Sequence, residues 1–287
     1  MKEPATPTFR LGLIGDPVAH SLSPAIQQAA LDALGIHARY ELWPTPLAEV
    51  TVRVASLRKP GVLGANVTVP HKLAVMALLD EVSPLARQAG AVNTIVHRDD
   101  CLSGDNTDVH GFAAALREVL PDAAGRPALI LGAGGAARAV VLALNEIGVT
   151  DVVIANRDAE RARKLTTDLL PIALRVVAYD DAVLSRETER CGLLINATSV
   201  GWRRGESPLP LALLTSLAPS TLVVDLTYRE TDLLEAARRR GLTVLDGLSM
   251  LVHQGARALE LWTGRDAPLE IMRRAAEQAR DTRGDAA

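Results

Sequence analysis

Short apolar runs alternate with longer amphipathic stretches in the second half of this 287-residue chain. The first two runs are "ALIL" at 128–131 and "DVVIA" at 151–155, and each has the length of a buried strand. Four further runs lie within "LRVVAY", "GLLINATS", "TLVVDL" and "LTVLD", with helical or polar segments between them. Strands that alternate with helices predict a doubly wound parallel sheet, with the strand order 3-2-1-4-5-6.

The turn after the first of these strands is rich in glycine. It reads "GAGGAA" at 132–137, and an apolar helical stretch follows it. Glycines permit a tight turn and close approach of the backbone, and the free N–H groups at the helix start can bind a pyrophosphate. A tight strand–helix turn without a ligand can carry the same glycines, but the succession of strand, turn, helix and strand favours a dinucleotide site.

Basic residues follow the second strand, where an NAD site usually has an acidic residue that binds the ribose 2′-hydroxyl. The sequence there is Asn156-Arg157-Asp158, with Arg161 in the helix that follows. A guanidinium fits a 2′-phosphate through charge-assisted hydrogen bonds. An exposed helix start with Arg–Asp pairs is the alternative interpretation, and Asp158 weighs against a strict preference. We predict NADP as the cofactor.

The first half of the chain predicts another α/β region, with an anion site at its first helix. A strand, "FRLGLIGDP", leads into the loop and amphipathic helix of "HSLSPAIQQAALDALG". Ser23 followed by Pro24 is typical of a helix start, with serine as the cap and proline at the first helical position. Capping alone explains most such sequences, but the hydroxyls of Ser21 and Ser23 beside free backbone N–H groups also suit a carboxylate.

A candidate for proton transfer lies in the segment "GVLGANVTVPHKLAVMALLDEVSP", which predicts a strand that ends at Pro70 and then a helix. Lys72 is one of only four lysines among 31 basic residues, and it falls in the first turn of the predicted helix. The helix dipole disfavours a cation there, which suits a lysine that exchanges a proton. An ordinary exposed lysine is the alternative. Asn66 and Thr68 alternate along the strand and therefore face the same side.

Two further polar positions lie in or beside predicted elements. Asn93 interrupts the apolar strand "GAVNTIV", and Asp108 lies at the start of the helix that "SGDNTDVHGFAAALREVL" opens. Capping and the helix dipole alone explain an aspartate at that place.

Composition excludes several classes of function. The chain is 48% hydrophobic and 23% charged, with a net charge of −3, which argues against a nucleic-acid or acidic-membrane partner. No apolar run approaches the ~18 residues of a membrane span, and the first ten residues lack a signal-peptide core. Neither Cys101 and Cys191 nor the six histidines show a metal-ligand spacing. We expect a cytoplasmic, metal-free protein that binds small molecules as a monomer or a homodimer.

Together these stretches resemble the shikimate dehydrogenase family over nearly the whole chain. The matching segments, in order, are "GDPVAHSLSP", "GANVTVPHK", "GAVNT", "GDNTD", "GAGGAAR", "NRD", "NATSVG", "DLTY" and "GLSMLVHQG". The resemblance implies an enzyme that reversibly reduces 3-dehydroshikimate to shikimate with NADPH, in aromatic amino-acid biosynthesis.

The resemblance also implies roles for residues at matching positions. Lys72 and Asp108 would form the catalytic pair. The substrate-binding residues would be Ser21 and Ser23 for the carboxylate, Asn66 and Thr68 in the same pocket, Asn93 and Asp108 for ring hydroxyls, and Tyr228 and Gln254. The cofactor-binding residues would be Gly132, Ala133, Gly134, Gly135 and Ala136 for the pyrophosphate, Asn156, Arg157, Asp158 and Arg161 for the adenosine ribose phosphate, and Leu226 and Gly247 near the nicotinamide. Thr198 ends the fourth strand, at the edge from which such sheets bind ligands.

The expected domain organisation is an N-terminal α/β substrate-binding and catalytic domain (1–106) and a Rossmann-type NADP-binding domain (107–246). The C-terminal helices (247–287) are expected to return to the first domain, and the active site to lie in the cleft between domains. The chain departs from the family pattern at Gln27-Gln28, which replaces His-Asn, and after Tyr228, where the loop is two residues shorter and lacks a proline. Tyr228 is therefore the least secure of these contacts.

Three alternatives remain open at this point. A quinate or dual quinate/shikimate dehydrogenase would use similar pockets, because the ligands share a carboxylate and hydroxyls. A catalytically silent NADP-binding regulator should have lost Lys72 or Asp108, and both are present. Glutamyl-tRNA reductases have similar glycine loops but need a nucleophilic cysteine near the N-terminus, and the first cysteine here is Cys101.

Overall fold

The computed structural model describes residues 9–284. It divides the chain into two compact units: residues up to Thr107 together with those from Val252 onward, and Asp108–Leu251. We expected boundaries after residues 106 and 246; the division falls within a helix in both places.

The elements are numbered along the chain. The strands are β1 (Phe9–Gly15), β2 (Ala38–Pro44), β3 (Val62–Val67), β4 (Glu81–Val82), β5 (Thr94–Arg98), β6 (Cys101–Asp105), β7 (Ala128–Leu131), β8 (Val152–Ala155), β9 (Leu174–Val177), β10 (Leu193–Asn196), β11 (Leu222–Asp225) and β12 (Thr243–Leu245). The α-helices are α1 (Ser23–Ala33), α2 (Val50–Ala55), α3 (Pro84–Ala89), α4 (Thr107–Val119), α5 (Gly135–Glu146), α6 (Ala159–Asp168), α7 (Asp181–Arg190), α8 (Asp232–Arg239), α9 (Gly247–Thr263) and α10 (Leu269–Gly284).

The first unit is built on a mixed sheet with the strand order β2-β1-β3-β5-β6-β4. β1 pairs in parallel with β2 and β3, whereas β5 pairs antiparallel with β3 and β6. Its core includes Ile14, Val67 and Ile95. α10 packs against α1, and α9 is attached to the sheet by Trp262, whose Nε1 donates to the Ile95 carbonyl at 2.9 Å.

The second unit is built on a parallel sheet with the strand order β12-β11-β10-β7-β8-β9. Counted from β7, this is the order 3-2-1-4-5-6 read from the other edge, so the predicted doubly wound α/β fold is confirmed. All four residues of β7, β8, β10 and β11 are buried. Helices cover both faces of such a sheet, which explains why its strands are continuous apolar runs. Within residues 9–284, no helix is long and apolar enough to cross a membrane.

Candidate active site

A continuous run of polar side chains begins at the N-terminus of α1 in the first unit. The Ser21 hydroxyl donates to Ser23 Oγ at 3.1 Å, and the Ser23 side chain lies beside the phenol of Tyr40. That phenol donates to Asn66 Oδ1 at 2.7 Å. Burial raises the pKa of Tyr40 well above its usual value, although the Ser23 side chain acts in the opposite direction. The phenol therefore stays protonated at neutral pH.

The same run continues to α9. Asn66 Nδ2 donates to Thr94 Oγ1 at 3.1 Å, and Thr94 lies 3.2 Å from Thr107 Oγ1. Asn93 donates to Thr107 Oγ1 at 3.0 Å and to Gln254 Oε1 at 3.4 Å. Five of the expected substrate residues, namely Ser21, Ser23, Asn66, Asn93 and Gln254, thus lie along one run of polar side chains, in which Asn66, Asn93 and Gln254 belong to one hydrogen-bonded network.

Sequence reasoning missed three members of this network as site residues. Tyr40, Thr94 and Thr107 are all buried. Thr107 and Thr94 stood inside the recognised motifs, so their position was a usable signal. Tyr40 belongs to no motif, and it reaches Asn66 only because β1 pairs with both β2 and β3.

The prediction that Ser23 caps α1 is wrong. The residue in the cap position is Leu22, and no side chain caps the helix there. Ser23 is the first helical residue, and its hydroxyl accepts from the Ser21 hydroxyl instead. Ser21 Oγ accepts from the Ser23 backbone N–H at 3.2 Å, so it satisfies one N–H at this helix start.

The prediction that Lys72 lies in the first turn of a helix is also wrong. Lys72 lies in a turn, and a short 3₁₀ segment, Ala74–Leu78, follows it. The helix-dipole argument therefore does not apply to Lys72. Two backbone hydrogen bonds fix the turn instead: the Lys72 carbonyl accepts from Val92 N at 2.8 Å, and His71 N donates to the Thr68 carbonyl at 2.9 Å.

Two other expected residues, Thr68 and Asp108, lie next to residues described above. Thr68 is half-buried just beyond β3, and its methyl group lies beside Gly15. Asp108 is buried in the first turn of α4. It directly follows Thr107, whose backbone N–H donates to Asn93 Oδ1 at 2.7 Å. The start of α4 is thereby tied to the polar network.

The glycine turn of the second unit follows β7 as predicted. Gly132 has a φ of +113°, and a Cβ there would come within 2.9 Å of the Thr198 methyl group. Glycine is therefore required at 132 by the fold itself. At Gly134 a Cβ would stand 3.6 Å from Arg161 Nη2, which is ordinary contact. The turn, Thr198 and Arg161 thus lie together, as a phosphate site requires.

The segment Asn156–Arg161 supplies the cap of α6. Asp158 Oδ1 accepts from Arg161 N at 3.0 Å, so this carboxylate has a local structural role. Arg161 faces the glycine turn, whereas Arg157 lines a surface pocket with Tyr179 and the loop around Ser207. The two arginines that we predicted for the ribose phosphate therefore lie in different surroundings.

The loops after β10 and β11 meet at a buried carboxylate. Asp225 accepts from Asn196 Nδ2 at 3.1 Å, from the Thr227 N–H and hydroxyl at 3.0 Å each, and from the Thr231 hydroxyl at 2.9 Å. Burial raises its pKa, and these donors act in the opposite direction. Asp225 stands first in the "DLTY" segment, but the sequence had assigned no role to it.

Leu226 and Gly247 lie side by side, as two residues lining one nicotinamide site should. Gly247 N donates to the Thr227 carbonyl at 2.9 Å. A Cβ at 247 would come within 2.1 Å of the Leu226 carbonyl oxygen, so this approach requires glycine.

Three family models match the chain. They are described as shikimate dehydrogenase substrate binding domain (residues 13–95), shikimate / quinate 5-dehydrogenase (114–201) and shikimate 5'-dehydrogenase C-terminal domain (247–277). A shikimate dehydrogenase (NADP(+)) of Symbiobacterium thermophilum is 46% identical over 272 residues, which are 93% of this chain and 92% of that protein. The chain belongs to the shikimate dehydrogenase family.

Solved structures of this family have the same fold. The shikimate 5-dehydrogenase of Thermus thermophilus, in complex with NADP(H) and shikimate, is 42% identical with a TM-score of 0.84, over 94% of this chain and 99% of that one. A quinate dehydrogenase from Corynebacterium glutamicum, in complex with NAD, is 32% identical with a TM-score of 0.86, over 94% and 99% of the two chains.

One departure from the family pattern has a structural explanation here. Gln27 Nε2 donates to the Gly255 carbonyl at 2.8 Å, next to Gln254 on α9. Gln28 donates to the Ala38 carbonyl at 3.1 Å and accepts from Tyr40 N at 3.0 Å. The pair Gln27-Gln28, which this chain has in place of His-Asn, therefore joins α1 to α9 and to β2.

Proposed function

We propose that this chain catalyses the reversible reduction of 3-dehydroshikimate to shikimate with NADPH, a step of aromatic amino-acid biosynthesis. The observation that carries the proposal is the run of polar side chains from Ser21 to Gln254. It joins most of the polar side chains that the family resemblance assigns to the substrate. Two shikimate dehydrogenases that are each 46% identical over more than nine-tenths of the chain support the same conclusion.

Substrate binding in this proposal uses neutral hydrogen-bonding groups. The hydroxyls of Ser21 and Ser23 donate to the carboxylate, and each can turn its proton from its present partner to the ligand. Asn66 and Thr68 line the same pocket. Asn93 and Gln254 lie 3.4 Å apart and offer both donors and acceptors to the ring hydroxyls.

Ketone reduction requires a hydride at carbon and a proton at oxygen. The nicotinamide, when bound, supplies the hydride. Lys72 donates the proton to the developing alkoxide and takes it back when shikimate is oxidised. Asp108 orients the lysine and accepts from an adjacent ring hydroxyl. The fixed turn at residues 71–72 keeps the lysine at one place on the first unit.

The residues of the second unit fit a dinucleotide. Gly134 leaves space that the fold does not fill, at the N-terminus of α5 and beside the Arg161 guanidinium. Backbone N–H groups there suit the pyrophosphate, and Arg161 and Arg157 suit a ribose 2′-phosphate. Leu226 and Gly247 would lie at the nicotinamide. We therefore propose NADP as the cofactor.

A quinate or dual quinate/shikimate dehydrogenase is the second candidate, because a family member at 32% identity is a quinate dehydrogenase. Steady-state kinetics with shikimate and quinate, each with NADP and NAD, tests the proposal. We expect kcat/KM to be highest for shikimate with NADP. A higher kcat/KM for quinate would overturn the proposal that shikimate is the substrate. No turnover alongside tight NADP binding would favour the silent regulator. The cytoplasmic location and the monomeric or dimeric state stay predictions.

A further inference from the structure

Trp202, an exposed residue of the second unit, has no role in the proposed function. Trp202 lies in the loop after β10 and is 36% exposed, whereas Trp43 and Trp262 are 7% and 5% exposed. Exposing a large aromatic ring is unfavourable unless the ring has a partner or a task. The contacts of Trp202 therefore indicate what the ring does.

Trp202 packs against the residue whose role the sequence left least secure. Its ring meets that of Tyr228 edge to face, with the centroids 5.3 Å apart and the planes at 89°. The Arg229 guanidinium lies 4.8 Å from the Trp202 ring centroid. Edge-to-face pairs and cation–π contacts both have preferred geometries, so together they restrict the Tyr228 ring.

The backbone on both sides of Tyr228 is fixed as well. Thr227 and Thr231 both donate to Asp225, so the three residues between them form a short bridge with anchored ends. The opposite loop is attached to the start of α8, because Gly205 N donates to Asp232 Oδ2 at 2.8 Å. With both backbones held, the contact with Trp202 restricts the Tyr228 side chain.

We infer that Trp202 is a positioning residue that holds the Tyr228 ring in the orientation used for substrate binding. This inference rests on the proposed function and on the substrate contact that the family resemblance implies for Tyr228. The contact with Trp202 fixes the Tyr228 ring, and Asp225 fixes the backbone on both sides of Tyr228.

The test compares five variants in steady-state kinetics with shikimate and NADP. We expect Trp202→Ala to raise KM for shikimate about three- to tenfold, the value of a lost aromatic pair, with KM for NADP unchanged. Trp202→Phe should restore most of the affinity. Tyr228→Ala should raise KM for shikimate at least as much, and Trp202→Ala combined with Tyr228→Ala should be no worse than Tyr228→Ala alone. Arg203→Ala, an exposed neighbour in the same loop, is the control and should change neither constant.

Fluorescence reports on the contact independently, because the other two tryptophans are buried. Acrylamide should quench the emission more strongly in Tyr228→Ala than in the wild type. An unchanged KM in Trp202→Ala beside a raised KM in Tyr228→Ala would overturn the inference alone, as would additive effects in the double variant. An unchanged KM in Tyr228→Ala would overturn its assigned substrate contact, and the role of Trp202 with it.

Discussion

Replacing Gly134 by alanine separates what the fold requires from what a cofactor requires. Gly134 precedes α5 with φ −91° and ψ −169°, an extended conformation that any residue adopts. Among the described residues, the one atom within 4 Å of an added Cβ is Arg161 Nη2, at 3.6 Å. The fold has room for this methyl group, so the free energy of unfolding of Gly134→Ala should lie within about 0.5 kcal/mol of the wild-type value.

Cofactor affinity should change much more. If the pyrophosphate lies on the turn, the new methyl group occupies its space and removes a charge-assisted hydrogen bond. Such a bond contributes about 1.5–3 kcal/mol, which corresponds to a rise of about ten- to a hundredfold in Kd for NADP. Isothermal titration calorimetry gives Kd, and urea denaturation gives the stability of the same preparation.

Gly132→Ala is the matched control within the same turn. Its φ of +113° and the Thr198 methyl group at 2.9 Å from an added Cβ make alanine strained at this position. The free energy of unfolding should fall by about 1–3 kcal/mol. Wild-type NADP affinity in Gly134→Ala would refute the placement of the pyrophosphate. A stability loss in Gly134→Ala equal to that in Gly132→Ala would refute the claim that the fold has room there.

Four further variants test other parts of the account. Arg157→Ala and Arg161→Ala should each raise Kd for NADP about ten- to a hundredfold and that for NAD much less; equal losses for both cofactors would contradict the 2′-phosphate assignment. Ser23→Ala should raise KM for shikimate and leave KM for NADP unchanged, and an unaffected KM for shikimate would remove the serine from the carboxylate site. Arg175 donates twice to Glu187 at 2.7 Å and lowers the pKa of that carboxyl. The ion pair therefore stabilises the folded protein above the unfolded pKa of about 4.3, and this contribution is lost as pH falls through the folded pKa of Glu187. The free energy of unfolding of Glu187→Gln should therefore lie less than about 1 kcal/mol below that of the wild type at pH 7, because the arginine is half-exposed. Near pH 2 the two should not differ, and an equal loss at both pH values would contradict the ion-pair origin.

The parts that the sequence predicted well are those that local patterns determine. The strands of the second sheet are apolar because helices cover both of their faces, and the glycine turn is recognisable because Gly132 needs its positive φ. Position in a motif likewise indicated Asn66 and Gln254, which belong to one hydrogen-bonded network although they are far apart along the chain.

The parts that it predicted wrongly depend on distant contacts. The segment after Lys72 has helical periodicity, yet Asp80 N donates to the Leu102 carbonyl and Asp80 Oδ2 accepts from Leu102 N. These bonds lead the chain into β4, which pairs with β6, so strand pairing prevails over local helix propensity. Ser23 does not cap α1 because it is itself the first helical residue, and its hydroxyl accepts from that of Ser21.

The central claim is that Lys72 transfers the proton during reduction of the ketone, and its replacement by alanine tests this most directly. Turnover should be measured where deuterated NADPH shows a primary isotope effect, so that chemistry limits the rate. Lys72→Ala should lower kcat by ~10²–10⁴, the usual contribution of general acid–base catalysis, and change substrate affinity much less. Lys59→Ala, an exposed lysine outside every motif, should keep the wild-type kcat. A Lys72→Ala variant that retains most of its turnover under these conditions would contradict the mechanism.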